Sequence, residues 1–194
     1  MTFNHSPLSE KLLENLRQLY QTLRLSMRNR WKRDLPLEEL LFDRWERARS
    51  LGFGENTSIY HNSYVYGEVS VGANVWIGPF TLLDGTGGLT IGDNCSISAG
   101  VQIYTHDSVR WALSGGKVKY EYAPVKIGNN CYIGPQTVIA KGVSIGDHCL
   151  IGACSFVNSD IPPFTLAFGV PCRPKGVVQV SEAGEISWYL FEAD

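Results

Sequence analysis

Of the four histidines in this chain, His106 is the one placed where proton chemistry is best served. It stands in Ile103-Tyr104-Thr105-His106-Asp107, and the segment behind it carries Trp111, Tyr120 and Tyr122, with Arg110 and Lys117 between them. An imidazole exchanges a proton near neutral pH. Beside a carboxylate and aromatic rings it can line a pocket for a polyhydroxylated or ringed substrate. Two carboxylates are candidates: Asp107, next in the chain, and Asp84, which precedes the glycine-rich stretch Gly85-Thr86-Gly87-Gly88. His5 falls in an unpatterned leader, and His61 and His148 fall at outward or corner positions, where a surface role is the simpler reading.

A repeat of six residues positions these groups. Aliphatic residues return at Ile59, Val65, Val71, Ile77 and Leu83, at Ile91, Ile97 and Ile103, and at Ile127, Ile133, Ile139, Ile145, Ile151 and Val157. Four positions after most of them comes a small residue, such as Ser63, Thr81, Cys95, Cys131, Thr137 or Cys149. A period of six fits neither a helix nor an alternating strand. It is the signature of a parallel β-helix. One large and one small inward residue per hexapeptide fill a narrow prism, and Gly, Asn and Asp turn its corners.

With Ile59, Ile77, Ile97, Ile133 and Ile151 on the first face there are about five coils. This register requires a short insertion at 85–88 after the second face of coil two. It also requires a long one, from about His106 to Pro124, after the second face of coil three. Both leave from the same edge, one coil apart, so Asp84 is expected close to His106.

The remaining chain sets bounds. The 194 residues carry a net charge of −2, which gives no sign of a nucleic-acid surface. No apolar run reaches the length of a membrane span, and the leader lacks the order of a signal peptide. Cys95, Cys131 and Cys149 occupy small inward positions, and Cys154 and Cys172 lack metal-ligand spacing, so a reduced, cytoplasmic setting is expected. Three segments follow: a helical cap over 1–55, the β-helix over 56–178 and a docking tail over 179–194. In the cap, leucines from Leu12 to Leu23 predict a helix over Ser9 to Met27. A second helix is predicted from near Pro36, with Leu37, Leu40, Leu41 and Trp45 inward, and the pair is expected to close the open edge of coil one. The basic run Arg24, Arg28, Arg30, Lys32 and Arg33 reads either as a solvated helix face and turn or as a contact for an anionic ligand such as a nucleotide or a lipid-linked phosphate. Trp188-Tyr189-Leu190-Phe191 is too apolar for a free tail and is expected to dock on the prism or on a neighbouring subunit.

Several blocks together resemble the hexapeptide-repeat acyltransferases. They are Leu89-Thr-Ile-Gly-Asp-Asn, Tyr104-Thr-His106 before a loop, Pro124-Val-Lys-Ile-Gly-Asn-Asn-Cys-Tyr-Ile-Gly134, Gly142-Val-Ser-Ile-Gly-Asp147, Asp160-Ile-Pro-Pro163 and Gly169-Val-Pro-Cys-Arg173. The resemblance spans roughly 56–178. It is nearest to the galactoside and maltose O-acetyltransferases and to the sugar O-acetyltransferases of polysaccharide biosynthesis. The leading helices fit the latter better.

The resemblance implies a left-handed β-helix, against the usual crossover rule, and a homotrimer with sites in clefts between subunits. It implies acetyl-coenzyme A as co-substrate, no metal, and a sugar or sugar-linked acceptor. His106 matches the catalytic histidine, a general base, and Asp84 falls near the acceptor-binding acid. Asp84 is then expected to hold acceptor hydroxyls or orient His106, or to be a plain turn residue. Asp107, Trp111, Tyr120 and Tyr122 are expected around the acceptor. Tyr132, Gly134, Ala153, Asn158, Arg173 and Lys175 are expected to hold coenzyme A, although Arg173 and Lys175 also read as a solvated basic pair. Three positions depart from the pattern: Tyr132 replaces an indole, Ser159 a lysine, and Pro135 lacks the N–H that the family places near the thioester oxygen. Other readings remain: an N-acetyltransferase on an amino sugar, a non-catalytic binding module, or a zinc enzyme. The zinc enzyme would need His61, His106 and His148 to converge, and the register keeps them apart.

Overall fold

The computed structural model describes residues 7–192; residues 1–6, His5 among them, and 193–194 lie outside the described residues. The chain divides into two units, Met1–Asp43 and Arg44–Asp194.

In the first unit, helix α1 spans Pro7–Trp31 and helix α2 Leu37–Leu41. The leucine periodicity finds α1 but ends it a turn early. The helix stops where Lys32 adopts a left-handed φ of 55°. The basic run therefore lies on the last helical turns, with Lys32 and Arg33 just beyond them. Asp34 folds back on it, accepting from Arg24 Nε at 2.6 Å and from Arg28 at 2.5 Å. Hydrogen bonds and charge from Arg24 and then Arg28 outweigh partial desolvation and lower the Asp34 carboxyl to about 2. The single helix expected from Pro36 onward is two short ones. Phe42 is extended (φ −121°, ψ 148°) and separates α2 from α3 (Arg44–Ser50). Helices this short cannot present one continuous stripe, so Leu37, Leu41 and Trp45 are exposed and not inward.

In the second unit α3 packs against the first strand of the solenoid, with Ala48 buried. Arg47 donates to the carbonyls of Tyr60 and Ser63, satisfying acceptors at the end of the stack. The chain then winds. Coil one is β1 (Ser58–Ile59) and β2 (Tyr64–Val71); coil two is β3 (Trp76–Ile77) and β4 (Leu82–Ile91). Coil three has β5 (Ser96–Ile97) and β6 (Gln102–Ile103). It is then interrupted by an excursion holding β7 (His106–Asp107), α4 (Val109–Leu113) and β8 (Glu121–Tyr122), and it closes with β9 (Val125–Ile127). Coil four is β10 (Tyr132–Ile133), β11 (Val138–Ile139) and β12 (Ser144–Ile145); coil five contains β13 (Leu150–Ile151) and β14 (Phe156–Val157). The last strands are β15 (Thr165–Phe168), β16 (Arg173–Val180) and β17 (Ile186–Leu190).

The register is the one the repeat dictates. Ile59, Ile77, Ile97, Ile133 and Ile151 are successive parallel partners on the first face. Val65, Leu83, Ile103, Ile139 and Val157 align on the second. The solenoid has about six turns and not five, and is consistent with a left-handed β-helix. Ile161 bridges Ile145 on the third face, and Leu166–Ala167 pairs with β13 on the first. The six-residue period does not reveal this turn because Asp160-Ile-Pro-Pro163 shortens the step from Val157. β16 and β17 then extend the first-face sheet antiparallel. The apolar end is thus tied by backbone pairing within its own chain, with Trp188 and Tyr189 still exposed.

The large inward residues are almost fully buried, and the small ones fill the space between them. Cys95, Cys131 and Cys149 each donate to a carbonyl one coil on, at Gly128, Gly146 and Pro162. The neighbouring thiols Cys149 and Cys95, with burial, push the Cys131 thiol well above the usual thiol range. At the corners Asn74, Asn94 and Asn130 take left-handed φ, as their type allows. So do Phe80, Gln136 and Cys154, which type alone would not suggest. The coil geometry imposes the conformation there.

Ile133, with no exposed surface, is expected to be the test of this packing. Ile133→Ala should cost about 2–5 kcal/mol in chemical denaturation; a smaller loss would show that the central coils repack around the gap.

Candidate active site

β4 and β6 pair side by side, Leu83 against Ile103, and both chains then leave the face at the same edge. The next residue of β4 is Asp84, buried to 1 % exposure. Across from it the chain runs Tyr104-Thr105-His106 into the excursion. Gly87 is required here: a Cβ on it would meet the Thr105 carbonyl oxygen at 2.4 Å. The short insertion can lie against the long one only where one of them has no side chain.

Every acceptor position on Asp84 is used. Oδ1 accepts from the Thr86 N–H at 3.0 Å and the Thr86 hydroxyl at 2.6 Å. Oδ2 accepts from the Thr105 N–H at 2.9 Å and its hydroxyl at 3.2 Å, and contacts His106 Nδ1 at 2.6 Å. The Thr105 hydroxyl oxygen in turn accepts from the Gly87 N–H at 2.8 Å. Burial opposes ionisation of this carboxyl. The hydrogen bonds from the Thr86 hydroxyl, the Thr105 and Thr86 N–H groups and His106 outweigh it, so the group is held well below the usual carboxylate range.

An ionised Asp84 can only accept, so His106 Nδ1 carries the hydrogen. Thr86 is consistent with this. Its hydroxyl donates to Asp84, which leaves its oxygen to accept from Nδ1 at 3.0 Å. In the neutral ring Nε2 is then the lone-pair nitrogen, on a side chain one-third exposed. Such an arrangement can accept a proton at Nε2, with tautomer and orientation fixed by a buried anion.

The excursion folds back over it. β7 pairs antiparallel with β8, His106 opposite Tyr122. Tyr120 lies parallel to the imidazole at 6.3 Å, Tyr122 is inclined to it by 27° at 5.8 Å, and Trp111 meets Tyr120 edge-on at 5.6 Å. Asp107 points elsewhere, pairing with Lys141 at 3.2 Å, which also holds Glu121. The Val109 N–H first, and then Lys141, lower its carboxyl. Asp107 therefore pins the loop to coil four, and its carboxylate acts on the imidazole through charge alone.

The structure thus brings together His106, Asp84, Tyr120, Tyr122 and Trp111. A separate set lies further along the stack. Arg173 donates to Asn158 at 3.2 Å, and Ala153 and Lys175 are exposed. Gly134 lies tight against Ala153: a Cβ would sit 2.5 Å from its nitrogen. Tyr132 faces outward on the first-face sheet, in a groove with Leu150, Val178 and Trp188. Thr86, Thr105 and Lys141 are the functional neighbours that the repeat did not single out. Asp-Gly-Thr carries a usable signal, an aspartate whose side chain binds the N–H two residues on. Nothing in the sequence marks Lys141. His148 contacts Asn130 and stacks on Phe164, apart from the partners of His106. Among the described residues no group of three His, Cys, Asp or Glu could hold a metal ion.

The solenoid of hexapeptide coils, with a histidine at the root of a long excursion, defines a hexapeptide-repeat protein. Two family models match, bacterial transferase hexapeptide (six repeats) over 124–159 and the hexapeptide repeat of succinyl-transferase over 68–105. The solved maltose O-acetyltransferase of Clostridium difficile is 31 % identical, with 84 % of this chain and 86 % of that one covered and a TM-score of 0.53. The chain belongs to the hexapeptide-repeat acetyltransferases, alongside the galactoside and maltose O-acetyltransferases. The Escherichia coli galactoside O-acetyltransferase is 46 % identical over 86 residues, 44 % of this chain and 42 % of that protein. The chain therefore spans less than half the length of the curated relatives it matches. A hexapeptide-repeat acetyltransferase of Vibrio cholerae complexed with acetyl coenzyme A is 26 % identical over 88 % of this chain and 91 % of that one, with a TM-score of 0.50.

The depressed Asp84 carboxyl sets a pH dependence. Its folded form binds fewer protons than the unfolded chain, so its contribution is complete above the ordinary carboxylate range and is lost as pH falls from about 4 through the folded value. Denaturant midpoints of the native protein should fall steeply below about pH 4. Asp84→Asn should flatten that slope by up to one proton, and parallel curves would mean that Asp84 is not the ionised partner.

Proposed function

We propose that this protein transfers the acetyl group of acetyl-coenzyme A to a hydroxyl of a sugar or sugar-containing acceptor, with His106 as general base. The observation that carries this is the 2.6 Å contact between His106 Nδ1 and the buried Asp84 carboxylate, which leaves Nε2 as a fixed proton acceptor. Membership of an acetyltransferase family supplies the reaction class. In this reading Nε2 takes the proton of the acceptor hydroxyl, and the freed oxygen pair attacks the thioester carbonyl carbon. The carbon–sulfur bond breaks, and the imidazolium returns the proton to the departing sulfur. An acetyl ester and a thiol result, with no group left on the protein. Asp84 stabilises the transient imidazolium without taking its proton.

The ring faces of Tyr120, Tyr122 and Trp111 suit the apolar face of a sugar. Asp107 acts through the loop it anchors. The donor would lie along Tyr132, Gly134, Ala153, Asn158, Arg173 and Lys175. The bare Ala153 surface leaves room for a pantetheine chain, and Arg173 and Lys175 offer cations for phosphates. Pro135 has no N–H to give, so in this reading the oxyanion needs a different donor. The working form is a homotrimer in the cytoplasm, its clefts completed by neighbouring copies.

The test is thiol release from acetyl-coenzyme A with a panel of glycosides and amino sugars. Hydroxyl acceptors should support turnover, and His106→Ala should lower kcat about 10²–10⁴-fold while melting like the parent. Full activity in that variant would end the assignment, and turnover confined to amines would make the enzyme an N-acetyltransferase.

A further inference from the structure

The leading helix carries a surface that acetyl transfer does not use. Leu12, Leu16 and Leu19 on α1, with Leu13 beside them, are 59, 47, 44 and 37 % exposed. Spacings of three and four residues put them on one face. Trp31 ends the helix 58 % exposed, with the Arg30 guanidinium 5.1 Å over its ring. Further along the stripe Leu23 and Met27 are only half-buried.

The charge around this stripe has one sign. Residues 7–33 hold seven Lys or Arg against only Glu10 and Glu14, whereas the whole chain has 17 basic against 19 acidic residues. After Glu14 the next acid is Asp34, already held by Arg24 and Arg28. Lys11, Arg17, Arg30, Lys32 and Arg33 face solvent. A second copy of the helix would cover the leucines, but each helix brings seven bases and only two acids, so most of the basic charge would stay unmatched against its copy. An anionic lipid surface meets both demands, with an apolar layer for the leucines and tryptophan and negative headgroups for the bases. No described helix is long and apolar enough to cross a membrane, so this one would lie along its surface.

We propose that α1 is an interfacial helix that docks the protein on an anionic lipid surface, with Leu12, Leu16 and Leu19 toward the acyl chains and Arg17, Arg30, Lys32 and Arg33 on the headgroups. The proposal does not rest on the acetyl-transfer reading.

The full chain would be sedimented with phosphatidylcholine vesicles with and without phosphatidylglycerol, at low and high salt. Binding is expected only with phosphatidylglycerol and should weaken with salt. The triple variant Arg30→Glu/Lys32→Glu/Arg33→Glu should lower partitioning about 100-fold or more, at about 1 kcal/mol for each basic residue near the surface. The double variant Leu12→Glu/Leu16→Glu should lower it at least about tenfold. Leu25→Gln, at an exposed position off the stripe and without added charge, should leave binding unchanged. No binding to either vesicle, equal binding to both, or equal losses in all three variants would overturn the proposal. So would a lipid-free assembly, seen by sedimentation velocity, that dissolves in the leucine variant, because a second copy would then cover the stripe.

Discussion

The hydrogen-bonded register between adjacent coils is the constraint on which this molecule turns. Parallel strands sit one spacing apart at every level, so a residue's height on the prism is fixed by counting sixes from any aliphatic position. Leu83 opposite Ile103 leaves no freedom about what comes next: a carboxylate one step beyond one partner, and a threonine and a histidine just beyond the other. A slip of one residue would turn Leu83 outward and Asp84 into the apolar interior, at a cost no local change could offset. The dyad is therefore held by the whole stack of isoleucines and not by the loop that contains the histidine.

That support explains how a nearly inaccessible carboxylate is tolerated. Its desolvation is met by five contacts, two of them from the backbone of residues the register already fixes. Thr86 and Thr105 each give Asp84 an N–H and a hydroxyl, and Gly87 lets the two segments close on one another. The anion is held in place by the fold's own donors. The outer half of the site is of a different kind. Tyr120, Tyr122 and Trp111 sit on a short hairpin and a five-residue helix, pinned through Asp107, Lys141 and Glu121 and mostly exposed.

The sequence disclosed the parts governed by periodicity. The three faces, the inward cysteines and the common edge of the two insertions follow from spacing alone, and so does the nearness of Asp84 and His106. What spacing could not disclose depends on contacts without a period. The turn at Ile161 is hidden by a four-residue step through two prolines. The break at Phe42 has no proline or glycine to announce it, so the second helix reads as continuous. Lys141 stands at a corner indistinguishable from other corners until the loop folds onto it. The left-handed φ at Phe80 and Gln136 is demanded by the prism against residue preference, so no composition rule would find it.

One feature of the architecture bears on durability. In a linear stack each turn touches only the turns above and below. Asp84, His106 and Lys141 belong to turns two, three and four of about six. Fraying at either end, whether α3 lifting from the first strand or the terminal hairpin peeling from the last, is then a private event of the outermost rung. The pair of His106 and Asp84 is insulated by at least one spare turn on each flank, much as the middle of a rope is spared the unravelling of its tips.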